Sequence, residues 1–254
     1  MNDIELLNSV GINKILMAKD DPMRYFMRSI MAGLYLGGAV ILSYSAGALL
    51  STNYPEFSKI AVAVTFGIGL VAICFLGAEL FTGNCLTTII PVYDKKMHFL
   101  DIIPAWWICF VGNILGLFAV GALFILSGSF NTIFPTYLQS LMDAKLTFEP
   151  MQLLIKGILC NFLVCIAGYA GIKVKDDMVR LVMIMFFVAA FVLPGFEHCI
   201  ANSGFFAMCV TQFGIGDSPF ALMGIHMLIA TFGNIIGGSI VAGIPVYLMF
   251  KTKY

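Results

Sequence analysis

The feature that most constrains this chain is where its charges are missing. No Asp, Glu, Lys or Arg occurs in residues 29–55, 60–78, 102–142, 157–172, 181–196 or 218–250. A bilayer-spanning helix needs about 20 consecutive, mainly apolar residues, and each window meets or approaches that length. Ordinary soluble domains carry about 25% charged residues. Here the figure is 11%, beside 60% hydrophobic residues, too little polar surface for a soluble protein of 254 residues. The apolar mass also excludes a disordered chain. Zero formal net charge without a basic patch sets aside nucleic acid as a partner. The expectation is an all-α integral membrane protein with six transmembrane helices, near 30–51, 60–92, 103–128, 150–172, 180–213 and 221–249. The second and fifth stretches are too long for one simple helix, and each contains an acid. They are the candidates for broken helices.

Basic residues in alternate loops set orientation. Lys14, Lys19, Arg24, Arg28, Lys95, Lys96, Lys173, Lys175, Arg180, Lys251 and Lys253 fall on one side; Lys59, Lys145 and Lys156 fall on the other. Eleven against three predicts both termini in the cytoplasm. Asp3 and Glu5 open the chain, and the first apolar run starts near residue 30, which is not the pattern of a signal peptide. Residues 4–16 place Ile4, Leu7, Ile12, Ile15 and Leu16 among polar positions. That pattern suits a cytoplasmic helix on the membrane surface or one packed on its own protein. We therefore divide the chain into an N-terminal segment, 1–28, and a channel domain, 29–254. The seven cysteines lie in or beside spans without C-x-x-C spacing and read as small buried apolar side chains. No metal site and no cofactor is expected.

The chain repeats itself. GAELFTGN (77–84) aligns with GFEHCIAN (195–202) at an offset of 118, and GNILG (112–116) with GNIIG (233–237) at 121. Val40 with Val164, and Ala46-Gly47 with Ala170-Gly171, agree at 124. The unit holds three spans, so the second copy enters the membrane from the opposite side. The expectation is two inverted repeats, 29–130 and 150–250, with helices 2 and 5 broken at the GAELFTGN and GFEHCIAN stretches. Irregular backbone at membrane depth survives only when buried in protein or lining a wet cavity. Helix halves that end there point free N–H groups inward, and such ends favour an anion.

Few polar groups remain inside the spans. A charge at the bilayer centre costs about 2.5–3.5 kcal/mol on insertion scales, yet Glu79 and Glu197 occupy equivalent repeat positions. Each carboxylate either accepts N–H groups at its own break or relays protons or cations, and the symmetry favours the first reading. His198 breaks the symmetry, since its counterpart is Leu80. An imidazole switches charge near neutral pH, so it is either a functional group or a neutral, hydrogen-bonded core residue. Thr82 stands opposite Ile200 and either bonds a solute or caps a helix half. Asn161 and Asn202 are polar groups at membrane depth that need partners, while Asn113 and Asn234 suit helix–helix hydrogen bonds.

With these motifs in view the chain resembles the formate/nitrite transporter family, over nearly its whole length. The resemblance implies an aquaporin-like six-helix protomer, a homopentamer, and a pore in each protomer for formate, nitrite or hydrosulfide in a bacterial inner membrane. It places the family's pore threonine on Thr82, its central histidine on His198, its glutamate and asparagine on Glu197 and Asn202, and its vestibule lysine on Lys145, sixteen residues before Asn161. It places two hydrophobic slits on Phe66, Leu70, Leu80, Phe81, Val164 and Phe191. The implied mechanism draws the anion in electrostatically and protonates it near His198, between the slits. An aquaporin-type water channel shares the repeat layout but carries Asn-Pro-Ala at its breaks, and neither break here has proline after its asparagine. A membrane enzyme with a metal at Glu79, Glu197 and His198 fits less well. Glu197 and His198 are adjacent and would point about 100° apart on a regular helix.

Overall fold

The computed structural model describes residues 3–129, 132–214 and 219–251, so Lys253, one of the basic residues expected on the cytoplasmic side, lies outside them. The described residues form thirteen α-helices and one π-helical stretch, with no strand among them. Five helical stretches have the length and apolarity to cross a membrane: Pro22–Ser51, Pro55–Leu76, Phe99–Leu126, Pro150–Lys173 and Phe220–Phe250.

Helix α1 (Asp3–Asp20) meets α2 (Pro22–Ser51) at a single residue, Asp21. Asp21 caps α2 by accepting the Arg24 N–H, and Pro22 supplies the fixed φ of a first helical position. α2 therefore starts eight residues before the apolar run. α1 lies against its own protein: Leu7, Gly11 and Ile15 are buried, and a Cβ at Gly11 would collide with the Thr87 carbonyl.

Next come α3 (Pro55–Phe66) and α4 (Ile68–Leu76). α4 ends where Gly77 takes a left-handed φ of 71°, which a side chain would resist. The chain is non-helical until α5 (Phe81–Thr87) and α6 (Ile89–Tyr93). After α7 (Phe99–Leu126) comes α8 (Phe134–Leu146), a short helix that the sequence reading left as loop. α9 (Pro150–Lys173) is capped by Glu149 through the Gln152 N–H. α10 (Asp177–Val192) and α11 (Cys199–Phe213) are separated by Gly195 with φ 75°. The fifth expected stretch, anticipated as a broken helix, holds two helices of 16 and 15 residues. α12 (Phe220–Ile236), the π-helical Gly237–Ala242 and α13 (Gly243–Phe250) complete the fold.

Two glycine-mediated crossings hold the bundle. α2 meets α7 where a Cβ at Gly116 would strike the Ile30 carbonyl and one at Gly33 the Asn113 carbonyl. α9 meets α12 where a Cβ at Gly233 would lie 2.5 Å from the Leu154 carbonyl, and where Gly157 and Gly233 abut. Lipid tails are as apolar as leucine, so close backbone approach and dispersion replace the hydrophobic effect at such contacts.

Candidate functional site

The two non-helical stretches are built the same way. At the first, Asn113 on α7 accepts the Phe81 N–H (2.9 Å) and donates to the carbonyls of Ser29 (2.8 Å) and Glu79 (2.9 Å). At the second, Asn234 on α12 accepts the Cys199 N–H (2.9 Å) and donates to the carbonyls of Gly157 and Glu197, both at 2.8 Å. Each asparagine amide takes one N–H and one carbonyl of a non-helical stretch, groups without a helical partner, and adds a bond to a carbonyl within α2 or α9. The backbone N–H groups of Glu79 and Glu197 go to the carbonyls of Arg28 and Lys156.

This corrects the role expected of Glu79 and Glu197. The asparagines tie the breaks, and the carboxylates bind cations. Glu79 Oε2 lies 2.7 Å from Lys14 Nζ, with Arg28 at 3.6 Å from Oε1. Glu197 Oε2 lies 2.6 Å from Lys145 Nζ and accepts the Asn202 amide at 2.9 Å. The asparagine five residues on takes the same lysine: Lys14 donates to Asn84 (2.7 Å) and Lys145 to Asn202 (3.1 Å). A carboxylate buried to 2% exposure, as Glu79 is, needs such a partner; the desolvation of a lone ion amounts to several kcal/mol. The N–H groups of Glu79, Phe81, Glu197, Cys199 and Ala201 go to other acceptors, and the two acids pair with the lysines.

Two cavities meet near these clusters. The first, about 350 Å³, is lined by Lys59, Lys145, Lys156, Glu197, His198, Asn202 and His226, with Phe66 and Phe191 among its apolar walls. The second, about 180 Å³, is lined by Lys14, Arg28, Glu79 and Asn84, with Leu70, Leu80 and Val164 as apolar walls. Phe66 and Phe191 stand edge to face at 6.3 Å, and Phe191 stacks on His198 at 6.0 Å. Bulky apolar walls of this kind dewet a narrow passage and oppose a bare charge.

Thr82 joins the two. It sits between Leu80 and Gly83, both in the wall of the second cavity, and its Oγ1 is 3.0 Å from Nε2 of His198 in the first. Nδ1 of that ring accepts the Ala201 N–H at 3.1 Å, making His198 the N-cap of α11. An acceptor nitrogen carries no proton, so the ring is neutral with its proton on Nε2, directed at the threonine oxygen. The threonine hydroxyl hydrogen is then left to donate elsewhere.

Two expected pore residues lie elsewhere. Asn161 borders neither cavity; its amide donates to the carbonyls of Thr82 (3.1 Å) and Asn234 (2.6 Å) and so ties α9 to both breaks. At position 37, the matching place in α2 at the offset of 124, glycine leaves no such amide. Phe81 turns away from both cavities, edge to face with Trp106 (6.2 Å) and Phe110 (5.1 Å), in the wall of a third, almost wholly apolar cavity of about 770 Å³ between α7, α11 and α12. The backbone leaves Leu80 extended, so neighbouring side chains face opposite ways: Leu80 to the second cavity, Phe81 to α7. The sequence reading missed Lys14, 65 positions from Glu79, and His226, which is 1% exposed beside Glu197. The unmatched basic residue in an otherwise apolar α1 face was the available signal for the first.

The profile of the formate/nitrite transporter family matches residues 4–248. The chain is 30% identical over 249 residues to the nitrite transporter NirC of Escherichia coli (strain K12), covering 94% of this chain and 90% of that protein. It is 30% identical over 232 residues to the uncharacterized transporter YwcJ of Bacillus subtilis (strain 168), 89% of each chain. Among solved structures it is similar to an FNT family ion channel, with TM-score 0.89 and 25% identity over 98% of this chain and 99% of that one. A pentameric formate channel with formate bound shares the fold, with TM-score 0.77 and 21% identity over 92% and 99%.

Proposed function

The chain belongs to the formate/nitrite transporter family, a family of membrane transporters and channels and not of enzymes, and on that premise we propose that it conducts the small monovalent anions of weak acids: formate, nitrite or hydrosulfide. The observation that carries this reading is the Thr82–His198 pair, one hydroxyl and one imidazole set between two lysine-bearing cavities with apolar walls. The family match runs against the aquaporin alternative.

In this reading the protomer has six spans in two inverted halves. α3 to α6 form the broken second span, and α10 with α11 the broken fifth. Residues 29–254 make the channel, and 1–28 cover its cytoplasmic side. Both termini are cytoplasmic in a bacterial inner membrane, and five copies assemble around an axis, as in the relative whose structure is pentameric. The first cavity then faces outward and the second inward. Lys59, Lys145 and Lys156 against Glu149 and Glu197 in the first cavity, and Lys14 and Arg28 against Glu79 in the second, leave each a surplus of positive charge that draws the anion in. The walls of Phe66 and Phe191 on one side, and of Leu70, Leu80 and Val164 on the other, hold back the hydrated ion. Between them the anion accepts the Thr82 hydroxyl proton in a hydrogen bond.

The tautomer limits the proton chemistry. A neutral ring gives a hydrogen bond through Nε2 and not a net proton, because the product would be imidazolate. Transfer to the anion follows protonation of Nδ1 from the first cavity, which costs the Ala201 N–H its acceptor. The solute then crosses the dry walls as the neutral acid. Hydrosulfide, whose conjugate acid is the weakest of the three, is neutralised most readily. The test is anion flux in liposomes with formate, nitrite and hydrosulfide at two pH values, for the native chain and His198→Ala. Equal rates and equal pH dependence in the two would remove His198 from the mechanism.

A further inference from the structure

His226 has no place in the mechanism above, yet it is built into the first cavity. The ring on α12 is 1% exposed, and neither nitrogen makes a hydrogen bond among those of the described residues. It is clamped edge to face between Phe148 (5.4 Å, 86°) and Phe206 (5.5 Å, 88°), so it cannot turn to find one. A buried polar group is stabilised by a hydrogen-bond partner, and the nearest charged one among the described residues is Glu197. Its Nε2 lies 3.9 Å from Glu197 Oε2, the oxygen that holds Lys145 at 2.6 Å and the Asn202 amide at 2.9 Å. The repeat offset of 121 puts Ala105 at the matching place of the other half. A need shared by both breaks would appear twice; this imidazole appears once.

Resting on the anion-channel reading, we propose that His226 is a positioning residue for anion capture: when protonated from the first cavity it takes Glu197 and releases Lys145 to the anion. Glu197, from the α10–α11 connection, attracts the proton to the ring. Lys145 from α8, Lys156 from α9 and Lys59 from α3 line the same cavity and oppose it, as does His198 whenever it is charged, and Glu149 at the cap of α9 favours it. An anion that pairs with Lys145 weakens the lysine's hold on Glu197 and cancels its repulsion of the ring. Anion and proton therefore favour each other's binding, and by linkage the coupling is reciprocal.

The experiment measures initial formate uptake into liposomes containing the full chain, with inner pH fixed and outer pH varied from 5.5 to 8. The native chain lowers its KM for outer formate by about fivefold or more across that range, the lower end of usual coupling strengths. His226→Gln cannot carry the proton and holds a KM that varies by less than about twofold. The change in free formic acid is the same for both proteins and cancels in the comparison. A glutamine variant that keeps the native KM profile overturns the proposal. If that variant fails to fold, 15N NMR of the chain in nanodiscs, in a His98→Gln background, gives the same decision. The His226 titration midpoint rises when saturating formate is added, and an unmoved midpoint overturns the proposal. Absence of formate, nitrite and hydrosulfide uptake by the native chain would instead refute the anion-channel reading, and this inference with it.

Discussion

Replacing Thr82 with valine separates the hydroxyl from everything else the residue does. Valine keeps the β-branched shape, and Thr82 is fully buried, so packing is little changed. Two things are lost. The Nε2–H of His198, 3.0 Å away, is left without an acceptor, at about 1–3 kcal/mol of stability. The permeating anion loses a donor, and a hydrogen bond to a charged group is worth about 1.5–3 kcal/mol. If that bond exists only at the top of the barrier, the loss slows flux by about 10- to 150-fold, since about 1.4 kcal/mol is tenfold. The assay is initial uptake of formate and of nitrite into liposomes, normalised to reconstituted protein. Thr82→Ser restores the hydroxyl and recovers flux to within about threefold of the native rate, a residual of well under 1 kcal/mol. Native-like flux in Thr82→Val would refute the reasoning, because the hydroxyl would then have no part in the passage.

Three further outcomes are expected. Asn234→Leu leaves the Cys199 N–H and the Glu197 carbonyl without their partner and removes a second bond to the Gly157 carbonyl inside α9; at about 1–3 kcal/mol for each orphaned group it lowers the thermal midpoint in detergent sharply, and Asn113→Leu does the same at the other break. Lys145→Met raises the KM for anions presented to the first cavity and flattens its dependence on ionic strength, whereas Lys14→Met does so for anions presented to the second, as measured in inside-out against right-side-out vesicles. The third concerns α1, which is fastened by Asp3 to Lys173 and by Asp94 to Asn8. The hydrogen bond from Lys173 holds the Asp3 carboxyl below its ordinary value, and at Asp94 burial acts upward but is outweighed by hydrogen bonds from Lys96 and Asn8. A depressed carboxyl stabilises the folded state above its ordinary value and loses that contribution as pH falls through its folded value, so α1 loosens only below about pH 4, read as faster proteolysis within residues 3–20; Asp94→Asn loosens it at neutral pH.

The windows without charge pointed to a membrane protein of several apolar helices, because no soluble alternative tolerates them. The motif pair at 77–84 and 195–202 also marked where helices stop, since Gly77 and Gly195 adopt φ values that side chains resist. Other features depended on three-dimensional proximity. α8 carries Pro135 in its first turn, Lys145 in its last, and Phe134, Leu138 and Met142 at i, i+4 and i+8, a helical pattern too short to cross a bilayer and hidden in the charge-free window that also holds α7. Lys14 meets Glu79, and His226 meets Glu197, only after distant helices pack. The roles of Asn161 and Phe81 turned on which way a side chain leaves the backbone at a break. A periodic pattern predicts that direction inside a helix and fails where the helix ends. The glutamates show the same limit: their symmetry correctly signalled a shared architectural need, but the partner was a lysine and not the local backbone.

The two ends of the passage are near copies, and its middle is not. Lys14, Glu79 and Asn84 on one side match Lys145, Glu197 and Asn202 on the other in residue type and in contacts. Asn113 and Asn234 tie both breaks with the same three hydrogen bonds. Each end holds a lysine against a buried carboxylate, and His226 beside Glu197, with Ala105 at its matching place, sets the first end apart. Between them the symmetry fails, with Thr82 opposite Ile200 and His198 opposite Leu80. Each half therefore supplies one polar group and one apolar group to the centre, and the single hydrogen bond of 3.0 Å between Thr82 and His198 crosses from one half to the other. An exact repeat would have placed either two polar pairs there, which would bind a hydrated ion too well to release it, or none, which would leave no donor for the solute. On the proposed reading the divergence of two residues from the repeat turns a symmetric scaffold into a filter, and any bias in net transport comes from the proton and anion gradients rather than from the ends of the protein.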